Sequence, residues 1–387
     1  VNGVLRLALA HALRRWGRSL VVASCVAVTL AIPLAGRVLV ARFAEDLRAR
    51  AATTPLVVGA KGSRFDLVFS SVYFQPSDIG TVPLGAVAPL RERAMVIPLH
   101  IRFTARGYPI IATTLGYSEL RGLRVERGDR IALMGEAALG SRVARELGLG
   151  PGDTIYSDAR STYRITGAPP VELSIVGVYA PTGGPEDGVI FVDLETAWVL
   201  EGIAHGHDDA STIVNPNLLL GRMEGRAVLS GAVAPYQRIT PENIDSFHIH
   251  GDRDELPLTA MLVYPHDDRQ RTIIIDDENR TPARQAVEPP VVIERLMERV
   301  VRVRTLLDGV SLVLGATTLL LLALIVVLTR RVREAEIEML KEIGAGRATI
   351  AKLLGYEYAI ILVTGLLIAL LLVLGASIGL DGLWMML

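Results

Sequence analysis

Two apolar runs, Gly309 to Thr329 and Tyr358 to Leu380, flank one charged segment, Arg330 to Glu357, and this arrangement constrains the fold more than any other feature. Each run lacks Asp, Glu, Lys and Arg for about 20 residues, the length an α-helix needs to cross a hydrocarbon core of about 30 Å. In lipid the backbone N–H and C=O groups must be satisfied within the segment, which a helix achieves and an open strand does not. Two spans around one short loop are therefore expected. Arg330, Arg331 and Arg333 stand at the exit of the first run, and basic residues at a span end mark the cytoplasmic side. Ile337, Leu340 and Ile343/Gly344 recur at helical spacing within the loop, with Glu334, Glu336, Glu338, Lys341 and Glu342 between them. A short amphipathic helix is expected there, lying on the membrane surface or docking on a partner.

The N-terminal region gives the third span. Residues 1–18 hold Arg6, Arg14, Arg15 and Arg18 with no acidic residue, and an uncharged run from Ser19 to Gly36 follows. The basic flank keeps the N-terminus inside. A cleaved signal peptide is the rival, but the run is long for a signal and lacks a small-x-small cleavage site, so an uncleaved anchor over residues 19–40 is adopted. Cys25, the only cysteine, excludes an internal disulfide and a multi-cysteine metal site and reads as a small buried hydrophobe.

No segment between Arg37 and Arg304 is apolar enough to span, so the region is delivered outside the cytoplasm as one domain. Strand patterns begin at Pro55, Met95, Tyr108, Thr154, Val171 and Gly188, and a helix reads from Leu139 through Val143, Leu147 and Leu149, with Gly150 to Gly152 as its stop. Mixed α+β is the expected class. From Pro290 to Asp308 an amphipathic helix carries Ile293, Leu296, Val300, Val303 and Leu307 at spacings of three and four, continuing into the next span as a stalk. A helix packed on its own domain would show the same pattern.

The formal net charge is −1, so nothing in the balance of charge points to nucleic acid. No G-x-x-x-x-G-K-[ST] phosphate loop, G-x-S-x-G elbow or H-E-x-x-H pair occurs, and the chain is not expected to be an enzyme or to hold a cofactor. Polar ligands do gather at His205, His207, His248, His250 and His266, each near aspartates. No helical spacing fixes two of these imidazoles on one face, so solvated loops are preferred and the five stay weak candidates for a metal site. Gly315, Ala316, Gly365, Ala369, Gly375, Ala376 and Gly379 could let spans approach closely, though small residues are common in membrane helices.

The segment Arg333 to Ile350, with its Arg-Glu start, alternating aliphatics and Ile343-Gly344-Ala345 turn followed by Arg347, resembles the cytosolic signature of the FtsX/MacB-type permease subunits of ABC transporters. The pattern AALGSRVARELGLGPGDTI followed by ELSIVGVYAPTG and VIFVDLETA resembles that family's outer domain, and the order of parts agrees. Together with the three apolar runs, the resemblance gives an expected α-helical membrane protein with three predicted transmembrane helices and a large α+β extracytoplasmic domain between the first and second. Its parts would be a cytosolic basic segment at 1–18, spans at 19–40, 309–329 and 358–380, the α+β domain at 41–289, the stalk at 290–308, the coupling segment at 330–357 and an extracytoplasmic tail at 381–387. The family's fourth span is not expected in this sequence, which leaves open a truncated chain or a span supplied from elsewhere. A permease dimer, homomeric or heteromeric, in a bacterial inner membrane is implied, with ATP bound by a separate ABC ATPase subunit and an extracytoplasmic partner protein possible. The resemblance makes Glu334, Glu338, Ile343, Gly344, Ala345 and Arg347 the ATPase-coupling residues; for the charged ones a solvated helix face is the competing explanation. Two other functions compete: a transmembrane regulator of an envelope enzyme, which moves no substrate, and a metal-binding receptor built on the histidines.

Overall fold

The computed structural model describes residues 2–14, 16–159, 170–206, 219–223, 226–229, 237–249, 251–332 and 334–384. They form two compact units, Arg48–Glu294 and a helical unit made of Val1–Leu47 with Arg295–Leu387. The helices are α1 (Asn2–Arg14), α2 (Trp16–Ala52), α3 (Arg64–Tyr73), α4 (Val87–Arg91), α5 (Leu115–Leu120), α6 (Ser141–Leu147), α7 (Leu194–Glu201), α8 (Asp268–Arg280), α9 (Pro289–Val332), α10 (Glu334–Glu342) and α11 (Arg347–Trp384). The strands are β1 (Leu56–Ala60), β2 (Val82–Pro83), β3 (Ala94–Ala105), β4 (Tyr108–Thr113), β5 (Val125–Gly128), β6 (Glu136–Leu139), β7 (Thr154–Tyr156) and β8 (Glu172–Tyr179). They continue with β9 (Ile190–Asp193), β10 (Ala204–His205), β11 (Leu219–Met223), β12 (Arg226–Leu229), β13 (His248–Ile249), β14 (Pro257–Leu258), β15 (Ala260–Pro265) and β16 (Arg284–Val287).

One mixed sheet dominates the α+β unit, in the order β16-β1-β15-β3-β4-β9-β6-β8-β5, with β7 also paired to β8. The first half is antiparallel, whereas β4 and β9 run parallel, with Ile110 opposite Ile190 and Thr113 opposite Asp193. Parallel neighbours need a crossover, and the chain between them supplies it with α5, α6 and four strands. The long strand β3 serves two cores. Ala94 and Val96 join Leu56, Val58, Met261, Val263 and Ile274 in one, while Phe103 and Ala105 join Ile110, Leu139, Leu173, Ile190 and Trp198 in the other. Burying a side chain such as Leu56 or Leu139 contributes roughly 1.5–3 kcal/mol; both are wholly buried. A register shift between His100 and Phe103 marks the passage from one core to the other.

All six strand patterns fall on strands, β1, β3, β4, β7, β8 and β9. The helix expected from Leu139 does not begin there, because Leu139 closes β6. It also ends earlier, since Gly148 adopts φ 67° and donates its N–H to the Ala144 carbonyl, closing the helix before Gly150. Elsewhere side-chain caps set the starts: the Asp193 carboxylate accepts from the N–H groups of Glu195 and Thr196 at the head of α7, and that of Asp267 from Gln270 at α8.

Among the described residues three helical segments are long and apolar enough to cross a membrane: Ser19–Ala52, Asp308–Leu328 and Arg347–Gly375. Each helix exceeds its apolar run, because charged residues with good helical propensity continue it at the ends. α2 reaches Ala52, and α11 starts at Arg347 and carries residues 381–384 as helix rather than as a tail. Residues 2–14 also form a helix, α1, with Ala8 and Ala12 buried, where only a basic segment was expected. Cys25 is exposed on α2, opposite to its expected burial, because the face toward α11 is taken by Ala23 and Ala27.

Candidate coupling site

In the segment after the second apolar run, α10 places Glu334 and Glu336 in its first turn and Lys341 in its last, matching the helix dipole at both ends. Its end is built by glycine. Gly344 adopts φ 92°, open to residues without a Cβ, so that the N–H of Ala345 reaches the Leu340 carbonyl at 2.9 Å and that of Gly344 reaches Lys341 at 2.9 Å. The Gly346 carbonyl then accepts from Thr349 and Ile350, starting α11 with Arg347 as its first residue. Glu334, Glu338 and Arg347 are exposed and Ala345 is half-buried. Ile343, expected on an apolar face, is 74% exposed and Met339 one turn before it 57%. These four-apart side chains make an apolar knob on the charged helix, uncovered within the described residues.

Small residues bring α11 against α2. A Cβ on Gly365 would lie 2.9 Å from the Ala23 carbonyl oxygen and 3.1 Å from the Val26 Cβ. Ala369, Ala27 and Ala31 pack together beside it. Gly315 and Gly375 meet nothing within 4 Å, and Ala316 is exposed. The Ala376 side chain and the surroundings of Gly379 lie outside what the structure describes. α2 also meets α9: Arg37 donates to the Asp308 carboxylate at 2.7 and 2.9 Å, and the Thr29 and Thr318 hydroxyls lie 3.1 Å apart. Glu357 is a buried carboxylate in α11, a feature missed when it was assigned to a charged loop.

In the α+β unit the last turns of α2 and the first turn of α9 are rooted on neighbouring strands. α2 leads into β1 and β16 leads through Glu288 into α9, and β1 and β16 are antiparallel partners with Val57 opposite Val287. Arg48 donates to both carboxylate oxygens of Glu294 at 2.9 and 3.2 Å. That hydrogen bond holds the Glu294 carboxyl below its ordinary pKa. Glu288 pairs with Arg271 of α8. Arg50 donates to Glu186 at 2.5 Å, to the Tyr117 hydroxyl at 3.2 Å and to the Val72 carbonyl at 3.1 Å, and the Tyr117 hydroxyl donates to Glu186 at 2.7 Å. Burial and the adjacent Glu186 both push the Tyr117 hydroxyl pKa up, so it stays a donor. Arg121 donates to the hydroxyls of Thr53 and Thr54 and lies over the Tyr117 ring. None of Arg50, Tyr117, Arg121 or Glu186 stands out in sequence, because they come from three separate stretches and form no recognised motif.

Of the stalk residues, Ile293 is fully buried and Leu296 half-buried, while the side chains of Val300, Val303 and Leu307 lie outside the described residues. His205 and His248 are cross-strand partners on β10 and β13, with ring centroids 5.0 Å apart. His266 follows β15 and donates its backbone N–H to Arg93, and His207 and His250 lie outside the described residues. No three His, Cys, Asp or Glu side chains converge among the described residues.

No family model and no curated protein matches the chain. Among solved structures it is similar to the periplasmic region of MacB from Actinobacillus actinomycetemcomitans, with 8% identity and a TM-score of 0.35, over 63% of this chain and 92% of that one. It is also similar to the extracellular domain of the ABC-type transporter YknZ from Gram-positive bacteria, with 9% identity and a TM-score of 0.32, over 60% of this chain and 99% of that one. At that distance neither likeness carries a functional assignment.

Proposed function

We propose that the chain is a permease subunit of an ABC transporter that works by mechanotransmission. A separate cytosolic ATPase closes on ATP, and the chain converts that closure into movement of its α+β domain on the far side of a bacterial inner membrane, for export or extraction of a substrate. The observation that carries this proposal is the paired rooting of α2 and α9 on the neighbouring strands β1 and β16, with the Arg48–Glu294 and Arg37–Asp308 ion pairs each joining the same two helices. A hydrogen-bonded helix resists axial compression, so a helix that enters a sheet edge after a single residue passes displacement into that sheet. The coupling end is α10 with the turn after it, where exposed Met339 and Ile343 supply the apolar anchor that a docking interface needs at its centre. Glu334, Glu338 and Arg347 form its charged rim.

In this reading the nucleotide is bound by the partner, and the absence of a G-x-x-x-x-G-K-[ST] loop from these residues is compatible with that. Two permease chains, alike or different, complete the membrane part, and the α+β domain is the surface available to an extracytoplasmic partner. The test is the ATPase activity of the assembled complex with Gly344→Val together with Arg347→Ala. A β-branched residue cannot hold φ 92° without strain, so the turn between α10 and α11 is lost and nucleotide hydrolysis no longer responds to the permease. Unchanged coupling with both substitutions would contradict the docking assignment.

A further inference from the structure

A cavity of about 400 Å³ opens in the α+β unit where the parallel strands β4 and β9 end, a size within the usual range of small-molecule sites. Leu84, Leu115, Ile131, Phe191 and Trp198 make its wall predominantly apolar. Most polar groups around it are already engaged. The Thr113 hydroxyl donates to the Pro98 carbonyl, the Ser118 hydroxyl to Leu115, and the Trp198 indole N–H to Pro257. Asp193 is consumed by the head of α7, and Glu195 is paired with Arg253 at 3.0 Å. Two donors are left over. Arg91 is exposed at the rim and makes no hydrogen bond or ion pair among the described residues, and Thr114 precedes α5 without a side-chain capping bond. Leu115, 55% exposed, leaves apolar surface beside them.

We propose that this cavity binds a fatty-acid-like amphiphile, with its apolar chain against Phe191 and Trp198 and its carboxylate on Arg91, assisted by the Thr114 hydroxyl. An apolar wall alone would accept any oil, and the unpaired guanidinium is what selects a planar anion. The site does not depend on the transporter proposal, since it needs neither a nucleotide nor a partner.

The test uses the full chain in amphipol with Trp16→Phe and Trp384→Phe, which leaves Trp198 as the only one of the three tryptophans. Decanoate is titrated while Trp198 fluorescence is read. The expected result is a saturable change, at least tenfold weaker with 1-decanol and with Arg91→Gln, and absent in Ala132→Phe, which fills the rim from an exposed position. A change that never saturates, or one that survives Ala132→Phe, would overturn the site. Equal binding of decanoate and 1-decanol, or no effect of Arg91→Gln, would overturn the anionic head group.

Discussion

Arg106 is one of two non-glycine residues with positive φ among the described residues, at 50°, and with Gly107 at 81° it makes the two-residue turn between β3 and β4. Arginine is a poor choice for that conformation. Asp158 offsets the strain by accepting from the N–H groups of Arg106 and Gly107, both at 2.9 Å, and from the Thr104 hydroxyl at 2.7 Å. Burial works against its charge, but these donors hold the Asp158 carboxyl below its ordinary pKa. A depressed folded-state pKa stabilises above the unfolded value and the gain is lost as pH falls through the folded one. Asp158→Ala should therefore destabilise the α+β unit by about 1 kcal/mol at neutral pH, and the gap in thermal midpoint from the parent should close in acid; a gap independent of pH would contradict this role. Arg50 and Glu186 form a more deeply buried pair, with side-chain exposures of 16% and 3%. Glu186→Ala strands the guanidinium and should cost about 3–5 kcal/mol in urea unfolding, whereas Arg50→Met with Glu186→Leu should recover most of the loss.

The apolar elements were legible in the sequence because their signal is local: the short continuous apolar runs of β1 and β4, or the charge-free stretch in α11, are complete within one window. Helix ends were legible where glycine forces them, as at Gly344, and misread where two glycines compete, as at Gly148 and Gly150. The network at the root of α2 was not legible, since Arg50, Tyr117 and Glu186 are brought together only by the sheet order. Close packing of α2 and α11 was readable as a list of small residues, but only geometry separates Gly365 and Ala369 from the rest. Gly365→Leu drives a side chain into Ala23 and Val26 and should destabilise the helical unit by about 1–3 kcal/mol. Gly375→Leu, with nothing within 4 Å of its Cβ, should leave detergent melting unchanged. Equal effects from the two substitutions would mean that α2 and α11 do not pack through Gly365.

At the scale of the molecule, the parts fit one mechanical reading: a sheet with two cores, a pair of helices rooted on the neighbouring strands β1 and β16, and a glycine turn behind an exposed apolar knob. The central claim is that this partner exists and sits on α10. It is tested most directly by purifying the tagged full chain from its native membrane and identifying what comes with it by mass spectrometry. The account predicts an ATPase subunit bearing a phosphate loop, present with the parent chain and lost with Ile343→Asp. A preparation that never contains such an ATPase, or one that keeps it when Ile343→Asp is introduced, would contradict the account.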